Sequence, residues 1–311
     1  MNNVNPTATS DERLLAALAH GSVLLSFFGP LVPALLWTFQ RRKSSYVAFH
    51  ALQAMGYQML TFWLGMAVYL LLMIVMMAAM LPVIALIEEN TNNPVAGMFA
   101  VEGSFFILML GFFAGYFLVG LAGAALCLMG RDFKVPFLGK RLERYLGRGA
   151  NPSDVLDEAQ AEQWVAGVCH GSAILLIWGM FLPLAVWLAE KDKSPRLCFQ
   201  ALQAFAYQLA AVLAYFGFMA VYMITFMGLF AVMLLLPTMG NGQEFSSAAM
   251  VAFLVFMFVM LLLMLVMMLA VPTYHLFAMI AGIQVVKGRD YRYPLLGNFI
   301  ARRLGNESSG G

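Results

Sequence analysis

The chain has 311 residues, 62% of them hydrophobic and only 11% charged, with a net charge of +2 and a mean hydropathy of +0.81. Soluble chains are about half apolar and about a quarter charged, so the composition excludes a water-soluble fold and points to a bilayer. The cysteines Cys127, Cys169 and Cys198 have no CxxC spacing, which argues against a zinc or disulfide framework.

The stretch Met1 to Ser10 is polar and carries no positive charge, so no cleaved secretory signal is expected. Thr9 and Glu12 have the spacing of a capping box, and Asp11 and Glu12 suit the positive end of a helix, so a first helix is predicted from about residue 10. It runs to Phe28 and meets Gly29-Pro30, where proline removes a backbone donor and turns its predecessor away from helix. A second short helix ends at Arg41-Arg42-Lys43. From Tyr46 to Ile87 the pattern predicts one helix of roughly 60 Å, longer than the 40–45 Å of a whole bilayer, so its first turns stand outside the hydrocarbon or along the interface. An acidic loop, Glu88 to Pro94, leads to a further apolar helix. Gly130-Arg131-Asp132-Phe133-Lys134-Val135-Pro136 and a basic tail follow.

The text then repeats. Phe49-His50-Ala51-Leu52-Gln53-Ala54 recurs 150 positions later as Phe199-Gln200-Ala201-Leu202-Gln203-Ala204, and the same offset relates His20-Gly21-Ser22 to His170-Gly171-Ser172 and Trp37 to Trp187. The tail motif returns 158 positions later as Gly288-Arg289-Asp290-Tyr291-Arg292-Tyr293-Pro294, so the second copy holds eight extra residues, assigned to its acidic-side loop or the adjoining helix ends. The chain divides into membrane repeat 1 (1–146), a linker (147–162) and membrane repeat 2 (163–311), each repeat closed by a basic interfacial tail.

Apolar runs near 60–87, 104–129, 209–236 and 249–286 each reach the roughly 20 residues that span a bilayer, and none alternates as a barrel strand would. Basic residues gather at Arg41–Lys43, Arg131–Arg148, Lys191–Arg196 and Lys287–Arg303, and such loops lie on the cytoplasmic side. Three crossings per copy would place half of them outside. A hairpin of two short helices before each long pair removes that conflict. The predicted fold is therefore an all-α, polytopic helical membrane protein with two parallel four-helix repeats, both termini cytoplasmic, in a bacterial cytoplasmic (inner) membrane. Arms of about 15 residues reach about 22 Å, which leaves open whether the hairpins cross or re-enter.

On a helix His50, Gln53 and Tyr57 share a face, as do Gln200, Gln203 and Tyr207. Interhelical hydrogen bonding is one reading of this polar stripe, and a path between the copies is the other. His20 and His170 lie within short apolar helices and are expected to bond to these amides. With no carboxylate at fixed spacing, no metal or cofactor site is assigned. The methionine stripes Met73-Met76-Met77-Met80 and Met257-Met260-Met264-Met268 read as packing or lipid contact. Gly111, Gly115 and Gly120, matched in part by Ala278 and Gly282, predict a close helix-packing face. Lys140, Arg141, Arg144, Arg302 and Arg303 alternate with apolar residues and are candidate contacts for anionic lipid headgroups, a simpler partner than nucleic acid. No HExxH, GxSxG or phosphate-loop pattern is present.

Asp11-Glu12-Arg13, His20, the Pro33 to Trp37 segment, Lys191-Asp192-Lys193-Ser194-Pro195, the Phe-x-Ala-Leu-Gln-Ala stretch and Gly-Arg-Asp-Tyr-Arg-Tyr-Pro resemble a family of small bacterial membrane proteins of unknown function. That family is in turn similar to the Tic-type inner-envelope import-channel subunit of chloroplasts. The resemblance covers nearly all of both copies and implies a four-helix unit. This chain departs from it in being a tandem pair, in Gln200, and in the loose tail motif Phe133-Lys134-Val135-Pro136. The expected function is a non-enzymatic structural or assembly subunit docking on other membrane-protein subunits; the alternative is a channel or translocation component.

Overall fold

The computed structural model describes residues 8–88, 94–149, 154–239, 247–294 and 296–307, which are helical with no strand among them. Repeat 1 consists of α1 (Ser10–Gly21), a 3-10 stretch Ser22–Phe28, α2 (Leu31–Gln40), α3 (Ser45–Glu88), α4 (Pro94–Leu128) and α5 (Gly139–Tyr145). Repeat 2 consists of α6 (Glu158–Gly171), a 3-10 stretch Ser172–Met180, α7 (Phe181–Glu190), α8 (Pro195–Met239), α9 (Ser247–Val286) and α10 (Leu296–Glu307). The capping box opens α1, with Thr9 N donating to Glu12 Oε2 at 2.8 Å and Glu12 N to Thr9 Oγ1 at 3.3 Å. α6 starts inside the stretch read as linker, where Asp157 caps it by accepting from Gln160 N at 3.0 Å. At 40 residues against 35, α9 outruns α4 at the end far from the tail, which places most of the eight extra residues there. The acidic loops themselves (89–93 and 240–246) lie outside the described residues.

Each repeat opens with a hairpin whose arms both pack on the following long helix. α1 runs alongside α3 from the level of Ser44 to that of Gln58, where Gln58 Nε2 donates to Ser22 Oγ at 2.9 Å. α2 returns to Arg41, beside the start of α3. The reversal falls at Ser26 (φ 50°, ψ −116°) and, 150 positions on, at Leu176 (φ 55°, ψ −127°), rather than at Gly29-Pro30. Gly29 N closes the turn on Ser26 O at 2.9 Å, and Pro30 sits at the start of α2, where a missing donor is harmless. Gly29 and Gly179 are needed for close approach, because a side chain would collide with Ser22 O and Gln58, or with Ser172 O and Gln208. From Ser45 to Gln58 the hairpin reaches about 20 Å along α3, short of the roughly 30 Å hydrocarbon core.

The repeats meet along α2 and α7. Phe28 and Trp178, the same position in each copy, touch at the hairpin tips with ring centroids 4.9 Å apart. At the bases, Arg41 bonds Glu190 and Glu162 of repeat 2, both at 2.7 Å. Tip meets tip and base meets base, so the hairpins point the same way and the pseudo-two-fold axis runs along them. Trp164 Nε1 donating to Leu52 O at 3.1 Å and Trp63 Nε1 to Gly171 O at 3.0 Å complete the joint.

Small residues do pack helices closely, at one end only. Gly120 lies against Val23 of the hairpin, and Gly282 against the Gly167 backbone, with Ala278 fully buried beside it. At Gly111 and Gly115 a side chain would meet no described atom of this chain within 4 Å, so the predicted packing face has no partner within the described residues there. They lie beyond the hairpin tip, where among the described residues α4 packs on α3 alone. Past that level the long helices expose apolar side chains such as Ile74, Leu81, Phe99, Ile107, Ile224 and Leu261. Met77, Met264 and Met268 of the methionine stripes join them. Among the described residues, five stretches are long and apolar enough to cross a membrane: 45–82, 97–128, 158–190, 195–231 and 250–286. The third bends at Leu176 and is the second hairpin.

Candidate functional site: a polar collar on the long helices

The face of α3 that carries the polar stripe is buried within its own repeat, and each side chain ties down a different element. His50 Nδ1 lies 3.2 Å from His20 Nε2 of α1. Gln53 clamps the segment after α4 through both ends of its amide, donating to Phe133 O at 3.0 Å and accepting from Val135 N at 2.9 Å. Tyr57 Oη donates to Tyr116 O of α4 at 2.9 Å. Gln58, one position on, holds the hairpin tip. The helical spacing sends these groups to one side of α3, and each meets whatever lies at its level.

Repeat 2 reproduces the collar. Gln203 donates to Tyr291 O at 3.0 Å and accepts from Tyr293 N at 2.9 Å, while Tyr207 Oη donates to Tyr274 O at 3.1 Å. Gln208 Nε2 donates to Cys169 O at 2.9 Å. His170 Nε2 lies 3.0 Å from Gln200 Oε1, and Gln200 Nε2 donates to Asp290 Oδ1 at 3.0 Å. The two stripes do not face each other: the sides of α3 and α6 that meet across the repeats carry Leu52, Gly56 and Trp164.

Asp132 stands behind His50, its Oδ1 3.4 Å from Nε2 and 3.2 Å from Arg148 Nη2, and Arg148 itself stacks 3.9 Å over Phe49. Burial works to raise the Asp132 carboxyl, but the hydrogen bond to His50 and the Arg148 guanidinium outweigh it, so its pKa lies below the ordinary 3.8.

Gln58, Gln208, Asp132 and Cys127 were missing from the sequence-based set. The first three stand in repeated text and could have been found there. Cys127 corresponds to Val285 in the other copy, so duplication gives no signal for it. His20, His50 and Cys127 together form a cluster of potential ligand atoms lying within 4.8 Å of one another. On the tails, Lys140, Arg141 and Arg144 are exposed on α5 while Leu142 and Leu146 are buried. Phe137, at φ 62°, is 91% exposed beside them. Arg302 is exposed on α10, and the side chain of Arg303 lies outside the described residues.

An apolar groove of about 320 Å³ lies between α3 and α4, lined by Leu72, Met76, Val101, Phe105 and Leu108. No curated protein and no solved structure matches the chain, and the likeness to the Tic-type subunit gains no support. A model of the magnetosome magnetite crystal formation protein family matches twice, over 11–142 and 161–300, once per repeat. With most of its length covered in this way, the chain belongs to that family of bacterial membrane proteins.

Proposed function

We propose that the chain is a non-enzymatic structural subunit of the magnetosome membrane, docking on other membrane-protein subunits and acting through them on magnetite crystal formation. The closed collar carries this reading. The repeated polar side chains of α3 and α8 are bonded to the hairpin, tail or neighbouring helix of their own repeat, and the long helices present apolar faces outward. What such a surface offers is attachment within a membrane. The unpartnered side of α4 at Gly111 and Gly115 is where another helix could approach closely. The basic tails, with Phe137 as an apolar anchor, suit an anionic headgroup layer, and the clustering of basic loops accords with cytoplasmic termini.

A translocation path, which the Tic-type resemblance would imply, requires Gln53 and Gln203 to face a shared cavity, whereas each is bonded to its own tail. Cross-linking in native membranes followed by mild-detergent extraction tests the assembly reading. Other membrane proteins should co-purify in fixed ratio, and Gly111→Leu with Gly115→Leu should release them and alter crystal size in a complemented deletion strain. Recovery of the lone chain, or ion flux in liposomes that Gln53→Leu with Gln203→Leu abolishes, would refute it.

A further inference from the structure

The two repeats meet one structural demand with different chemistry. In repeat 2 His170 is held by hydrogen bonds on both ring nitrogens, with Gln200 Oε1 at 3.0 Å and the Tyr293 hydroxyl at 3.1 Å, and Val285 fills the neighbouring position on α9. In repeat 1 the corresponding residues are His50, Val135 and Cys127. There His20 Nε2 lies 3.2 Å from His50 Nδ1, and Cys127 Sγ lies 3.6 Å from that same nitrogen. The three residues are at most 1% exposed. Since repeat 2 builds the same hairpin and tail without the second imidazole or the thiol, the fold does not require them.

We propose that His20 Nε2, His50 Nδ1 and Cys127 Sγ form a metal site in repeat 1 that takes one copper(I) ion. Three such ligands set about 2.0–2.3 Å from a common centre, 120° apart, would stand about 3.5–3.8 Å from one another. The observed separations, from 3.2 Å to no more than 4.8 Å, bracket that range. The surroundings favour the same arrangement: the negative Asp132 carboxylate, 3.4 Å from His50 Nε2, draws the proton to that nitrogen and so turns the Nδ1 lone pair toward His20 and Cys127.

Charge chooses the metal. Copper(I) with one thiolate is neutral, and Asp132 with Arg148 is neutral, so the filled site adds no net charge to a buried region. A zinc ion would leave one uncompensated positive charge and favours a fourth ligand. Two imidazoles and a thiolate suit a soft, three-coordinate ion. Binding displaces the thiol proton to solvent, so affinity should rise with pH.

The test is anaerobic titration of the full chain in nanodiscs with copper(I) against a chromogenic chelator, and with zinc alongside. The expected result is one copper(I) per chain, with sulfur and nitrogen neighbours by X-ray absorption. Cys127→Val and His50→Gln, which install the residues of repeat 2, should each weaken binding at least 100-fold while helical content and thermal unfolding stay native. His170→Gln should leave the stoichiometry at one. A folded Cys127→Val protein of unchanged affinity, no stoichiometric copper by the native chain, or zinc bound in preference at the same residues would each overturn the assignment.

Discussion

Replacing Gln53 by Leu should cost more stability than replacing Gln203 by Leu, although the two occupy the same position of a duplicated collar. Among the described residues Gln53 is the one partner of Phe133 O and of Val135 N, so its loss orphans one half-buried acceptor and one buried donor. Gln203 bonds Tyr291 O and Tyr293 N in the same way, but Tyr291 O also accepts from Gln200 Nε2 at 3.2 Å. Its removal therefore strands only Tyr293 N. At about 1–3 kcal/mol for each unsatisfied buried group, Gln53→Leu should destabilise by about 2–6 kcal/mol and Gln203→Leu by about 1–3 kcal/mol. Denaturation in mixed micelles, followed by tryptophan fluorescence, reads the difference. Proteolysis reads the location, because cleavage in Gln53→Leu should appear first around Phe133 to Pro136. Equal losses in the two variants, or a Gln53→Leu tail as protease-resistant as wild type, would show that the amide does not hold the tail.

The joint between the repeats makes a second prediction. Arg41 is 4% exposed and pairs with Glu190 at 0% and Glu162 at 17%, so Arg41→Met leaves the buried Glu190 with only the half-exposed Lys193, 3.5 Å away, and should cost up to about 3–5 kcal/mol. Arg41→Met with Glu190→Met should recover most of it in the same unfolding assay. For Asp132 the folded pKa is depressed, so its contribution is present above the ordinary 3.8 and disappears as pH falls through the lower folded value. The gap in unfolding midpoint between wild type and Asp132→Asn should therefore be constant above about pH 5 and close in acid. Reporters fused after Lys43 and after Lys193 should both give a cytoplasmic signal. One cytoplasmic and one external would contradict the parallel repeats.

Much of this arrangement could be read from the chain because duplication doubles every local signal. The capping box at Thr9, the helix lengths and the break before Pro30 are local. The basic loops then forced the hairpin, since only an even number of passes keeps them on one side. The exact reversal could not be read, because Ser26 and Leu176 are unlike residues in an unusual conformation that tertiary contacts impose. The contacts of the collar were also hidden. Gln53 bonds a segment 80 positions away, and Cys127 lies 77 positions from His50, so spacing along the chain carries no trace of either meeting. The stripe looked like a surface shared by the copies because both had one. It faces inward because the tail, which sequence alone could not place, folds back over it.

The comparison of the repeats also separates what the collar must keep from what it can change. Both keep a carboxylate behind the amide level, an arginine paired to it and that arginine over a phenylalanine. In repeat 1 the arginine is Arg148, 3.9 Å over Phe49; in repeat 2 it is Arg292, 5.6 Å over Phe199, from a different position of the tail. The pair is buried in repeat 1 and half exposed in repeat 2, so the two copies share the neutralised carboxylate but not its burial. What it supports differs: in repeat 2 Asp290 accepts from Gln200, an amide that cannot ligate a metal and be held in this way at once, whereas in repeat 1 Asp132 faces an imidazole with its second nitrogen turned to a thiol. At this level of the collar the copies differ in the groups that the shared carboxylate orients, and exchanging those groups alone is the perturbation that separates architecture from chemistry.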